Sequence, residues 1–162
     1  MDGDATLALG VFIVAVVATA MSGGIFKPGE WYERLNHPSW RPPNWIFPVV
    51  WTPLYGLIAW SGFAVWQVAG WSGAAGAFAI YFIHLGLNFA WSWVFFGLRR
   101  PDWALGEVAL LFLSIVATMV AFSAHSSAAV WMLAPYLVWV GFASFLNWTI
   151  MRLNPEAHRI GV

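Results

Sequence analysis

Charged residues in this chain fall in clusters, and long runs between the clusters carry none. Residues 5–26, 42–98 and 108–151 contain no Asp, Glu, Lys or Arg. A bilayer-spanning helix takes roughly 20 apolar residues, so the first run supplies one span and each of the others supplies two. The predicted spans cover about 5–26, 44–68, 74–98, 103–122 and 128–153, with loop 1 over 27–43 and a polar tail over 154–162. Backbone groups in hydrocarbon have to be satisfied within the segment, which leaves helices as the way across. The fold class is therefore an all-α integral membrane protein: one domain over 1–162, a five-helix bundle with a long loop 1 above it. Local signals fit this division. Ser22-Gly23-Gly24 ends the first span, Glu30 to Leu35 has room for one or two turns of interfacial helix, and Pro42-Pro43 stops it. Pro48 and Pro53 fall inside the second span and predict bends. Gly70 to Gly73 reads as a turn, Asp102 as the N-cap of the fourth span, and Pro135 lies near the start of the fifth.

Composition agrees with the patterning. Charged residues make up 9% of the chain and the mean hydropathy is +0.73, against about 25% charged residues in soluble domains. A net charge of zero points to neither nucleic acid nor an anionic partner. The absence of cysteine excludes disulfides and thiolate chemistry. Residues 5–20 have the look of a secretory h-region, and Ala18-Thr19-Ala20 resembles a cleavage site, but Asp2 and Asp4 give the preceding segment the wrong sign. The first span is expected to be retained. Lys27, Arg34 and Arg41 in loop 1, Arg99 and Arg100 in loop 3, and Arg152 and Arg159 near the C-terminus share one side of a five-span chain. That side is expected to be cytoplasmic and the N-terminus external.

Trp and Pro concentrate in one stretch. Trp31 to Tyr55 holds four Trp, two Tyr, one Phe and five Pro in 25 residues. Indole and phenol rings join an apolar body to one polar handle and collect at bilayer boundaries. The stretch is read as a rigid aromatic lid over one end of the bundle that leads into the wall of a pocket. At 3.6 residues per turn, His84, Asn88, Trp91 and Phe95 share one face of the third span. Ala75, Ala79, Gly86 and Ala90 share the opposite face, a small-residue stripe suited either to a homodimer seam or to packing within the chain. Asn88 can donate and accept, so it is able to orient a ligand or to tie two helices together. His84 reads more simply as a core histidine than as a haem-iron ligand. Trp51 and Tyr55 on the second span, and Tyr136, Trp139, Ala143 and Asn147 on the fifth, complete three aromatic faces that outline a pocket for a flat apolar ligand.

These residues resemble the translocator protein family (TspO/MBR), also called tryptophan-rich sensory proteins or peripheral-type benzodiazepine receptors. The resemblance runs from about Leu7 to Asn154. It is carried by Trp31-Tyr32, Leu35-Asn36, Pro38, Trp40, Pro42-Pro43, Trp45, Phe47-Pro48, Trp51-Thr52 and Leu54-Tyr55. It continues through Asn88, Trp91, Phe95-Phe96-Gly97, Pro135-Tyr136-Leu137, Trp139, Leu146-Asn147 and Arg152-Leu153-Asn154. The resemblance implies a compact five-helix bundle, commonly dimeric, with a ligand cavity under loop 1. It implies porphyrins such as protoporphyrin IX, haem, sterols and synthetic drugs as ligands. The sequence itself offers no metal cluster, and no required cofactor or metal site is expected. By position, Trp51, Asn88 and Trp139 correspond to the family's cavity residues, and Trp40, Phe47, Tyr55, Trp91 and Ala143 to its lining. The chain departs from the animal members at the end of the fifth span, where Trp148 stands in place of the Tyr of their cholesterol motif before Arg152. A bacterial-type member is the closer reading, with sterol binding in doubt.

Three functions follow from this reading. The first is a membrane sensor or carrier that binds porphyrin or haem in the lipid bilayer and regulates tetrapyrrole handling. The second is a light-dependent porphyrin-degrading enzyme, in which chemistry would run through the bound pigment, light and oxygen, with Trp139 or Trp51 as electron donor to a reactive intermediate. The third is a scaffold held together by the small-residue stripe, without a ligand.

Overall fold

The computed structural model describes residues 3–157; Asp2 and the tail beyond Ala157, including Arg159, lie outside the described residues. Five helices are long and apolar enough to cross a membrane. They are α1 (Gly3–Ile25), α3 (Ile46–Gly73), α4 (Ala75–Ser92), α5 (Pro101–Ser123) and α6 (Ser127–Leu153). A single helical turn in loop 1, α2 (Glu30–Glu33), precedes α3. A wide π-type turn, Trp93–Gly97, carries α4 to its end. No strand occurs among the described residues.

The helices close into a ring: α1 packs on α3, α3 on α6, α6 on α5, α5 on α4, and α4 returns to α1. Contact between α3 and α4 is slight. In lipid, outward-facing side chains gain nothing by moving inward, so the fit of the buried surfaces decides the arrangement. At the α1–α3 contact the ring of Phe12, fully buried, lies against Gly62 so closely that an added Cβ would sit 2.6 Å from it. The outer surface carries Leu7, Val11, Val14, Val17 and Met21 along α1, with Leu110, Leu113 and Val120 along α5, all exposed.

Three local features differ from the reading of the sequence. The segment Gly70–Gly73 is not a turn between spans but the last part of α3, continued across a kink at Gly70, whose φ of 63° suits glycine. Trp71 is thereby brought to stack on Phe12 at 5.3 Å. Asp102 is not an N-cap: Arg100 occupies that position, Pro101 opens the helix, and Arg100 forks onto the Asp102 carboxylate. Pro48 lies in the first turn of α3, where its missing N–H has no helical partner to lose, so Pro53 is the one interior proline there.

Loop 1 is anchored by its own polar groups. Asn154, which follows α6, accepts from the Asn36 backbone N–H at 2.8 Å and donates to the Asn36 carbonyl at 2.9 Å. Trp31 donates its indole N–H to the Ala157 carbonyl at 2.9 Å. Trp31, Tyr32 and Leu35 are buried with Phe95, Ala104, Leu146 and Ile150 in a second, smaller core. The lid is thus a packed layer attached to α4, α5 and α6.

The small-residue stripe of α4 faces outward. Ala75, Ala79 and Gly86 are exposed, Ala90 is half-buried, and a Cβ at Gly86 would touch nothing. Of the two readings of that stripe, packing within the chain is the one this arrangement does not use.

Candidate functional site

Under the lid is a cavity of about 640 Å³. Helix α3 presents Phe47, Trp51 and Tyr55 to it, α4 and its π-type turn present Asn88, Trp91, Phe95 and Phe96, and α6 presents Trp139, Ala143 and Asn147. Spacing accounts for each set, since positions four apart fall on one helix face. The space exists because α3 and α4 barely touch and because α1 and α6 contribute small side chains, Ala20, Gly23, Gly24 and Ala143, at its level. Lys27, Pro28 and Tyr32 from the lid border the mouth.

The aromatic walls are ordered by their own contacts. Trp51 stacks on Tyr55 at 5.1 Å and meets Tyr136 edge-on at 5.9 Å. Phe47 meets Trp139 edge-on at 5.8 Å. Trp91 stacks on Phe95 at 5.3 Å. Such pairs hold rings at fixed angles and leave their other faces to a guest.

Asn88 ties the three walls together. Tyr55 donates to its Oδ1 at 3.2 Å, and its Nδ2 donates to the Tyr136 hydroxyl at 2.7 Å. One N–H and one lone pair of the amide are left over. Other polar groups around the cavity are unmet: the indole N–H of Trp91, the indole N–H of Trp139 and the Oδ1 of Asn147 are buried without a partner. Asn147 spends its Nδ2 on the Pro101 carbonyl at 3.1 Å. A buried polar group without a partner costs about 1–3 kcal/mol, so a ligand with acceptors facing Trp91 and Trp139 and a donor facing Asn147 recovers free energy at each.

Seven of the eight residues marked in the sequence, Trp51, Asn88, Trp139, Phe47, Tyr55, Trp91 and Ala143, border this one cavity. Trp40 does not. Its ring stacks on Phe145 at 5.2 Å and meets Phe142 edge-on at 6.0 Å, on the flank of α6. His84 is fully buried outside the cavity lining, between Tyr81, Tyr136 and Thr118, with its Nδ1 3.5 Å from the Thr118 hydroxyl. Glu107 keeps both carboxyl oxygens buried without a partner and also lies off the lining. Trp148 and Arg152 face outward together, the guanidinium 5.6 Å over the indole. No cluster of three or more metal-binding side chains occurs among the described residues. Sequence reasoning passed over the α1 contribution; its one signal was the small-residue run before Phe26.

At the mouth, Tyr32 packs against His37 at 4.6 Å and against Phe96 at 5.4 Å. The His37 Nε2–H donates to the Tyr32 carbonyl at 2.9 Å. The Arg41 guanidinium lies 5.3 Å over the Tyr32 ring and 3.3 Å from that same Nε2. Burial, and then the charge of Arg41, hold His37 below its ordinary pKa. Burial pushes the Tyr32 phenol up, against the pull of Arg41. Asn44 at the foot of α3 donates to Glu33 at 2.9 Å, so the lid is also fastened on the α3 side.

The profile of the TspO/MBR family matches residues 11–153. The chain is 42% identical over 149 residues to a tryptophan-rich sensory protein of Cereibacter sphaeroides, covering 90% of this chain and 92% of the relative. It is 43% identical over 155 residues to the tryptophan-rich protein TspO of Chlorobaculum tepidum, covering 93% and 96%. It is 36% identical over 148 residues to the human translocator protein, covering 88% of each. With its five spanning helices and the matched segment running from α1 to the end of α6, the chain belongs to the TspO/MBR family of integral membrane proteins.

Proposed function

We propose that this protein binds a planar, mainly apolar ligand of the tetrapyrrole class in the cavity under loop 1 and acts as a membrane sensor or carrier for it. The observation that carries this reading is the 640 Å³ space walled by Trp51, Trp91, Trp139 and Tyr55, with two indole N–H groups unmet at its edge. Small-molecule sites are apolar hollows of roughly 300–1,000 Å³ with few polar groups. Porphyrins offer a flat π-surface for the rings and peripheral carboxylates for Lys27 at the mouth. The names of the relatives, sensory protein and translocator protein, suit a ligand-responsive or ligand-moving role.

The test is a titration of the purified protein with protoporphyrin IX, haem and cholesterol, read by tryptophan fluorescence. Protoporphyrin IX quenches the parent, and a Trp51→Phe/Trp139→Phe double variant loses most of that quenching beyond the share of the two missing indoles. Equal affinity in the double variant would remove the cavity as the site. A second copy of the chain is proposed for the exposed Ala75, Ala79 and Gly86 stripe, where small residues let helices approach closely. Gly86→Leu is expected to shift the protein from dimer to monomer in detergent.

A further inference from the structure

Beside the main cavity is a second hollow, of about 280 Å³, in which Lys27, Arg34, Arg99 and Glu30 surround Trp31 and Phe96. Three cations therefore face one carboxylate. That carboxylate is engaged by Arg34 at 2.9 Å, and neither Lys27 nor Arg99 has an ion pair among the described residues. Lys27 and Arg99 therefore bring positive charge to the hollow that no carboxylate among the described residues pairs with, and charges of one sign held close together attract an anion.

The backbone adds an independent observation. Arg99 has a φ of 56°, the one non-glycine residue in the left-handed region among the described residues. Glycine adopts that conformation without steric cost, and an arginine there is held against its preference. Residues kept in such conformations cluster where the side chain has a task. Here the strained position delivers a guanidinium, half-buried, to the edge of the hollow.

The location selects the ligand. The hollow lies where α1 and the π-type turn end, against the lid. Ile25 and Leu98, both exposed, are each within two residues of a lining cation. Lys27, Arg34, Arg41, Arg99, Arg100 and Arg152 all fall in the segments on this side of the bundle, the bias that marks the cytoplasmic leaflet, where anionic lipids reside. We propose that this hollow binds the phosphate group of an anionic phospholipid from the adjoining leaflet, with Arg99 and Lys27 on its oxygens and Ile25 and Leu98 along its acyl chains. Guanidinium groups meet phosphate oxygens in paired, charge-assisted hydrogen bonds. Lys27 and Phe96 border both spaces, so the headgroup would brace α2 and the end of α4 at the rim of the ligand cavity.

The experiment uses the full chain in detergent, titrated separately with phosphatidylglycerol, phosphatidylcholine and inorganic phosphate, with adducts read by native mass spectrometry. Lys27→Gln, Arg99→Gln and Arg99→Gly are compared with the parent; the last also relieves the backbone, which guards against a folding failure. Phosphatidylglycerol is expected to be retained preferentially, with affinity falling roughly tenfold or more in each variant, as loss of a hydrogen bond to a charged group implies. Protoporphyrin IX quenching should survive in the Arg99 variants, which separates this site from the main cavity. Equal retention of the two lipids, or undiminished phosphatidylglycerol binding in both Arg99 variants, would overturn the site. Displacement of the lipid by inorganic phosphate at matched concentration would overturn the assignment of a lipid as the occupant.

Discussion

Replacing Tyr136 by Phe tests the polar tie that holds the cavity walls in register. The substitution keeps a fully buried ring and removes one oxygen, the acceptor of the 2.7 Å bond from Asn88. The bond itself is worth about 0.5–1.5 kcal/mol net, but the Asn88 N–H left behind in a site only 4% exposed raises the cost to about 1–3 kcal/mol. For a chain of this length that amounts to a fall of about 2–4 °C in Tm per kcal/mol. Asn88→Leu alone should cost a comparable amount, because both Tyr55 and Tyr136 lose a partner. The decisive quantity is the coupling. With Asn88 already gone, Tyr136→Phe removes nothing further, so the double variant should be more stable than the sum of the singles by about 1 kcal/mol or more. Thermal melts of the four proteins in one detergent measure it. A Tyr136→Phe protein that melts with the parent, or singles that add without coupling, would refute the claim that Asn88 is engaged by the protein before any ligand arrives.

Three further outcomes are expected. Asn154→Ala removes both bonds to Asn36 and should raise hydrogen exchange across residues 30–41 by an order of magnitude or more while leaving α4 and α5 protected, consistent with a loss of about 1–3 kcal/mol in the lid alone. His37 favours its neutral form in the closed lid, so its contribution is complete above its ordinary pKa of 6.5 and is lost as pH falls from there towards its lower folded-state value. Protection factors for the lid should therefore drop between pH 7.5 and about 5, and His37→Gln should flatten that dependence. Gly62→Ala places a methyl 2.6 Å from the Phe12 ring and should destabilise the α1–α3 contact by about 1–3 kcal/mol, measured as a lower Tm; an unchanged melt would refute the tight seating of Phe12 on Gly62.

The spans were legible because hydrocarbon imposes a crude rule. Charge is excluded over roughly 20 residues at a time, and three uncharged runs cannot be divided into five helices in many ways. Helix ends were less legible, because they depend on single backbone angles. Gly70 to Gly73 has the composition of a turn, yet one glycine at φ 63° bends the helix and lets it continue to stack Trp71 on Phe12. Asp102 has the chemistry of a cap, but Pro101 had already set the first helical residue and Arg100 took the carboxylate.

The cavity was half legible for a related reason. Helical spacing shows which rings share a face, so Trp51 with Tyr55, and Asn88 with Trp91, could be grouped from the sequence. It does not show what a face meets. Trp40 belongs to the same aromatic run as Trp51, but it lies in a loop that carries it to the flank of α6 against Phe145. Asn88 is a plausible ligand contact in the sequence, and the fold places it between two tyrosines whose hydroxyls match its amide. Its amide thereby links the walls that carry Trp51 on α3 and Trp139 on α6, with one N–H and one lone pair still unused at the cavity. The donors at the cavity with no partner at all are the indole N–H groups of Trp91 and Trp139. Since burial without a partner is what makes a donor costly, a polar edge of any guest would gain more free energy at those two N–H groups than at the amide. A ligand series that varies acceptors around a constant flat core should accordingly track Trp91 and Trp139, with Asn88 variants shifting all members alike.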